Sequence, residues 1–141
     1  MSERLLRVGL VLEPTGIDHP YCRGAYLGLE RAVRELEIRG RVLTPAPKEG
    51  FVPSLSLLAR QKYDLVLGVG MAADRPHARP SAAIERVAIE FPATRFGMID
   101  VAHDDLAHRP PNVVGVVFRE EQAGYLAGYL AALMLTLSPG E

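Results

Sequence analysis

With 141 residues, 48% of them apolar and 23% charged, the chain has the size and balance of one soluble globular domain. Sixteen Lys and Arg against seventeen Asp and Glu leave a formal charge of -1, which excludes the basic excess that a nucleic-acid backbone demands. The single cysteine, Cys22, excludes an internal disulfide and a CxxC zinc site, and leaves the redox compartment open.

The opening MSERLLRVGLVLEP runs directly into a strand-like segment, Arg7 to Leu12, without the apolar core and small-residue cleavage site of a secretory leader. As written, the chain reads as cytosolic or as trimmed. The turn Thr15 to Cys22 follows, and then a helix from about Pro20. Its apolar stripe is Ala25, Leu29, Ala32, Val33 and Leu36, and Glu30 with Arg34 and Arg31 with Glu35 pair on its other faces. Asp18 has two readings, a cap for this helix or a ligand contact. Tyr21 either packs the turn or offers a stacking surface for a flat ring. Cys22 reads by default as a small buried hydrophobe, since no His or Asn arrangement marks it as a nucleophile.

A second strand is predicted over Arg41 to Ala46, and a short second helix rests on Phe51, Leu55 and Leu58. The third strand, Asp64 to Gly70, ends in GVG. Gly68 and Gly70 there permit a tight turn but do not form a GxGxxG fingerprint. The loop Met71 to Ser81 carries two prolines and two arginines, and a third helix on Ile84, Val87, Ala88 and Phe91 stops at Pro92. The fourth strand, Arg95 to Asp100, terminates in an acid that either starts a turn or accepts hydrogen bonds from sugar hydroxyls. His103, Asp104 and Asp105 have the chemistry of metal ligands, but three consecutive loop residues read as solvated surface, and no metal site is assigned.

A fifth strand covers Val113 to Phe118, and the last helix runs from about Glu120 to Thr136. Arg119, Glu120 and Gln122 read as ordinary first-turn residues. The apolar run Ala123 to Leu137 falls short of the roughly 20 residues needed to span a bilayer, so it is expected to be a helix buried on most of its circumference. Gly124 and Gly128, with Ala123, Ala127 and Ala131, point to close packing of that helix.

Near-continuous apolar strands alternating with amphipathic helices predict an α/β fold. The expected form is a doubly wound, mostly parallel five-stranded sheet with helices on both faces, a single Rossmann-like lobe over residues 1–141. In such sheets ligands sit outside the carboxyl ends of the strands, where strand order reverses. The residues following each strand are therefore the candidates.

At this point a resemblance stands on the residues. GLVLEPTGIDHPYCRGAYLGLERAVRELE, YDLVLGVGM, FPATRFGMIDV, NVVGVVF and REEQAGYLAGYLAALM resemble, in order, the motifs of the basic membrane protein family, substrate-binding proteins of ABC importers similar to purine nucleoside receptors. The resemblance implies the first lobe of a two-lobed type I periplasmic binding protein, with a nucleoside held between lobes. It implies an extracytoplasmic, membrane-anchored setting and an ABC permease as partner. It places ligand contacts on Asp18, Tyr21 and Asp100, with Gly70 and Met71 at the turn after the third strand. Cys22 stands where the family has an amide, a departure that bears on base selectivity.

The resulting expectation is a purine nucleoside-like small molecule bound by Asp18, Tyr21, Cys22, Gly70, Met71 and Asp100, with no catalytic residue, cofactor or metal. A homodimer through the ligand-facing edge or the last helix is the expected partner for an isolated lobe. The alternative is a cytosolic regulatory or interaction module that reuses the lobe. A nucleoside-processing enzyme ranks behind both.

Overall fold

A computed structural model describes residues 4–69 and 80–137. Five strands form one sheet in the order β2-β1-β3-β4-β5: β1 (Arg7–Val11), β2 (Arg39–Leu43), β3 (Leu65–Gly68), β4 (Arg95–Ile99) and β5 (Val113–Val116). Every pairing is parallel, with Val8 opposite both Gly40 and Leu65, Leu67 opposite Gly97, and Gly97 opposite Val114. Parallel neighbours need long crossovers. Three of these are the helices α1 (Pro20–Leu36), α2 (Val52–Arg60) and α3 (Pro80–Glu90), while β4 reaches β5 through a segment whose only helical part is the 3-10 turn His103–Asp105.

The second strand starts and ends earlier than its apolar run predicts. Arg39 and Gly40 are polar or small and so invisible to a hydropathy reading, yet they pair with Arg7 and Val8. Beyond Leu43, Pro45 and Pro47 lack the N–H that a ladder requires.

β1 is covered on both faces, and β3, β4 and β5 on the side of α2 and α3. On one side Leu55 and Leu58 of α2 and Ile84 and Val87 of α3 pack on Val11, Val66, Phe96, Met98 and Val113. On the other, Cys22 and Leu29 of α1 join Val8, Leu10, Leu12 and Val69. Burying each large aliphatic of this kind contributes about 1.5–3 kcal/mol, so these two clusters carry the fold. Gly68, expected to serve a turn, serves packing instead: a Cβ there would lie 2.4 Å from Ile84 Cδ1. The carboxyl end of α3 is tied down by Asn112, whose Nδ2 lies 3.0 Å from the Ala88 carbonyl and 2.9 Å from that of Thr94. The first of these bonds satisfies a carbonyl that the helix end leaves open, and the second fixes the turn into β4.

The last helix, α4 (Glu120–Leu137), forms where expected but is not buried. Its side chains are exposed from Glu120 to Thr136, Tyr125 to 73% and Leu135 to 81%. Gly124 and Gly128 have nothing within 4 Å of a Cβ, so the expected close packing is not made. The helix leaves β5 without lying back over the sheet. An open groove of about 570 Å³ accordingly runs along the α1 side of β3, β4 and β5, lined by Leu65, Leu67, Gly97, Val114 and Val116 among others. Among the described residues, no helix is long and apolar enough to cross a membrane.

Candidate functional site

Strand order fixes where a site belongs. From β1 the chain moves outward to β2, then returns past β1 to β3, β4 and β5, so its direction reverses between β1 and β3. The crevice outside the carboxyl ends of those strands is the expected binding position. The segment after β1, from Leu12 to Cys22, forms one wall of it.

That wall is built by a short 3-10 turn, Gly16–Asp18, followed at once by α1. Gly16 adopts φ 59°, a left-handed conformation that glycine takes without cost. Asp18 lies in this turn, exposed, and does not cap the helix. The cap is His19, whose Nδ1 accepts from the Tyr21 backbone N–H at 3.3 Å, with Pro20 in the first helical turn. Imidazole does here what the sequence reading considered for the Asp18 carboxylate, because the turn places Asp18 one residue too early.

Tyr21 is half-buried, and its hydroxyl is fully buried with no hydrogen-bond partner among the described residues. Its pKa is pushed up to about 12, first by burial and then by the negative charges of Asp100, Cys22, Glu120 and Glu13. Since the hydroxyl is sealed, whatever Tyr21 presents to solvent is not its hydroxyl. A face built in this way favours stacking over hydrogen bonding.

Asp100 is exposed and has φ 70°, a left-handed conformation that Asp tolerates better than most residues. Its N–H donates to the Val116 carbonyl at 2.7 Å, which ties this bend to β5. Gly70 and Met71 lie outside the described residues.

Cys22 is fully buried, its Sγ 3.7 Å from Glu13 Oε1. Burial pushes its thiol pKa up, the opposite of what an activated nucleophile requires. His103, which the sequence reading weighed as a metal donor, contacts the Pro110 carbonyl at 3.2 Å, and Asp104 faces Arg109 at 3.9 Å. The donors that do converge are Glu13, His19 and Cys22, with one ligand atom from each lying within 4.8 Å of the others. The sequence reading did not consider Glu13 or His19. The available signal was position alone, an acid and an imidazole flanking the turn after the first strand.

A second cavity, about 650 Å³, is lined by Arg4, Tyr63, Asp64, Phe91 and Arg95. It lies at the amino ends of the strands, opposite the expected binding edge.

Residues 5–138 match the family described as ABC transporter substrate-binding protein PnrA-like. An uncharacterized lipoprotein of Pyrococcus horikoshii is 37% identical over 111 residues, which are 78% of this chain and 25% of that protein. Basic membrane protein B of Borreliella burgdorferi is 39% identical over 83 residues, 58% of this chain and 22% of the relative. The crystal structure of an ABC transporter system solute-binding protein from Aeropyrum pernix superposes with a TM-score of 0.69 at 28% identity, covering 87% of this chain and 31% of that one. The chain thus spans about a quarter of the length of the curated relatives it matches. By its family match and its five-stranded parallel lobe, the chain belongs to the PnrA-like, basic membrane protein family of ABC transporter substrate-binding proteins.

Proposed function

We propose that the lobe binds a purine nucleoside-like solute at the carboxyl edge of the sheet, as part of a receptor that delivers it to an ABC permease. The observation that supports this reading is that Tyr21 and Asp100 both follow sheet strands at the carboxyl edge, Tyr21 in the segment after β1 and Asp100 directly after β4, near enough for the Asp100 charge to be felt at Tyr21. Tyr21 supplies a flat, half-buried surface whose polar tip is turned away from water, suited to a heterocycle. Asp100, exposed beside it, is suited to accept from ribose hydroxyls, and Asp18 from the turn after β1 accepts from ring or sugar N–H and O–H groups. The proposal is binding without catalysis, in keeping with a family of substrate-binding proteins. The lipoprotein relatives support an extracytoplasmic, membrane-anchored setting for the whole receptor.

One lobe supplies about half of the contacts of a two-lobed site, and only the surplus over the association cost appears as affinity. Calorimetric titration of this chain with adenosine, guanosine and a free hexose tests the proposal. Millimolar binding of the nucleosides, weakened in Asp100→Ala and absent for the hexose, is expected. Low-micromolar binding by this chain alone contradicts the half-site picture, and equal responses to all three ligands contradict the nucleoside reading.

Self-association is a second feature of the reading. The exposed apolar surface of α4, including Tyr125, Leu126, Tyr129 and Leu130, exceeds the scattered apolar residues that an ordinary monomer surface carries. A second copy of the chain is the proposed occupant, because the groove on the sheet offers each copy an apolar seat for the other's helix. Light scattering is expected to give twice the chain mass, and a monomer that keeps α4 exposed contradicts it. The comparisons give no support to a free-standing cytosolic module.

A further inference from the structure

We propose that Glu13, His19 and Cys22 form a binding site for one zinc ion at the carboxyl end of β1. The three side chains come from the two ends of a single turn, Glu13 just after β1, and His19 and Cys22 at the start of α1. Glu13 Oε1 lies 3.7 Å from His19 Nδ1 and 3.7 Å from Cys22 Sγ. A tetrahedral zinc with bonds of about 2.3 Å to sulfur and about 2.0–2.2 Å to nitrogen and oxygen separates its donors by about 3.4–3.6 Å. The two pairs made by Glu13 are close to that spacing before any ion is bound, and the third, between His19 and Cys22, lies within 4.8 Å.

The pattern of satisfaction points the same way. The Glu13 side chain is only 14% exposed, yet among the described residues its carboxylate meets only the His19 ring and the thiol of Cys22. A divalent cation fits this set: one carboxylate and one thiolate neutralise its charge, and a neutral imidazole supplies the third bond. A mixed sulfur, nitrogen and oxygen set suits a borderline-soft ion such as zinc and disfavours magnesium or calcium, which prefer oxygen alone. Binding exchanges the long capping bond from the Tyr21 N–H to His19 Nδ1 for a metal bond, and the thiol proton leaves to solvent.

Three protein ligands leave a fourth position open. His19 is 42% exposed at its side chain and marks the solvent side of the cluster. The metal site itself does not depend on that reading and is tested without any solute.

The experiment loads the whole chain with zinc or cobalt(II), removes loosely held ions by gel filtration, and measures bound metal by mass spectrometry and cobalt by absorption. The expected result is one metal per chain, with a near-ultraviolet thiolate-to-cobalt band and the visible spectrum of a four-coordinate ion. Cys22→Ala abolishes the band, and His19→Ala and Glu13→Gln lower the metal content, while far-ultraviolet circular dichroism shows the fold retained. Cys22→Ser gives a second variant should the alanine variant fail to fold. Less than a tenth of an equivalent of metal, or binding that persists unchanged in Cys22→Ala and Cys22→Ser, overturns the proposal, as does a six-coordinate cobalt spectrum without the thiolate band.

Discussion

Replacing Tyr21 with Phe removes one oxygen atom and tests how the candidate wall is built. The hydroxyl is buried and has no partner among the described residues. A buried hydroxyl left unpaired costs about 1–3 kcal/mol, whereas the ring packing is the same in Tyr and Phe. Tyr21→Phe is therefore expected to stabilise the chain by about 1 kcal/mol at neutral pH, equivalent to a rise of about 3 °C in Tm for a chain of this size. Differential scanning calorimetry and urea unfolding read this directly. The pH dependence supplies an independent sign. Tyr21's pKa is raised to about 12, chiefly by burial and secondarily by Asp100, so the folded state holds the phenolic proton more tightly than the unfolded state does. That contribution is fully present below the unfolded value of about 10 and is lost as pH rises toward 12. Stability of the wild type should fall over that window more steeply than stability of the Phe variant. A Phe variant destabilised by 1 kcal/mol or more, with the same alkaline slope as wild type, refutes the reasoning, because the hydroxyl would then have a partner in solution.

Gly115→Ala is expected to destabilise by about 1–3 kcal/mol, because its Cβ would meet the Val101 carbonyl oxygen at 2.2 Å and the His103 backbone nitrogen at 2.7 Å, atoms that cannot swing aside. Gly128→Ala on α4, where nothing lies within 4 Å, is expected to stabilise by about 0.5–1 kcal/mol in the same urea titration. If the two substitutions shift the midpoint equally, the crossover after β4 does not press on β5 as described. Asp64→Asn addresses the amino edge, where the carboxylate accepts from the Arg7 N–H at 2.8 Å and pairs with Arg4 at 2.7 Å. These bonds, the Arg7 one foremost, hold its carboxyl below the usual carboxylate range. The stability it contributes is present above about pH 4 and is lost as pH falls through the depressed value, so a deficit of about 1 kcal/mol in Asn at pH 7 should shrink in acid unfolding curves. A deficit that is constant with pH contradicts the assignment.

The architecture was legible in the sequence because its dominant signal is burial. VGLVL is apolar throughout, since both faces of β1 are covered, LVLG of β3 carries a similar signal, and α1 shows its stripe through Leu29 and Val33. The start of β2 was not legible, since Arg39 and Gly40 join the ladder through backbone alone. Nor was the exposure of α4, because a hydrophobic helix reads the same whether its partner is its own sheet or a second chain. The candidate site was legible in position through the rule that ligands gather at carboxyl ends, which pointed to Asp18, Tyr21 and Asp100. Its internal chemistry was not legible. That His19 rather than Asp18 caps α1, and that Glu13 meets Cys22, depends on a turn geometry that spacing alone does not fix.

The central claim is that a nucleoside-like solute binds where Tyr21 and Asp100 converge. A two-dimensional nitrogen–proton NMR titration of the labelled chain with adenosine and guanosine tests it most directly. The account predicts saturable shifts at millimolar ligand confined to Asp18 to Cys22 and to Asp100 and Val101, and their loss in Asp100→Ala and Tyr21→Ala. Shifts that cluster instead at the amino edge, around Tyr63, Asp64 and Arg95, or that survive both substitutions, contradict it.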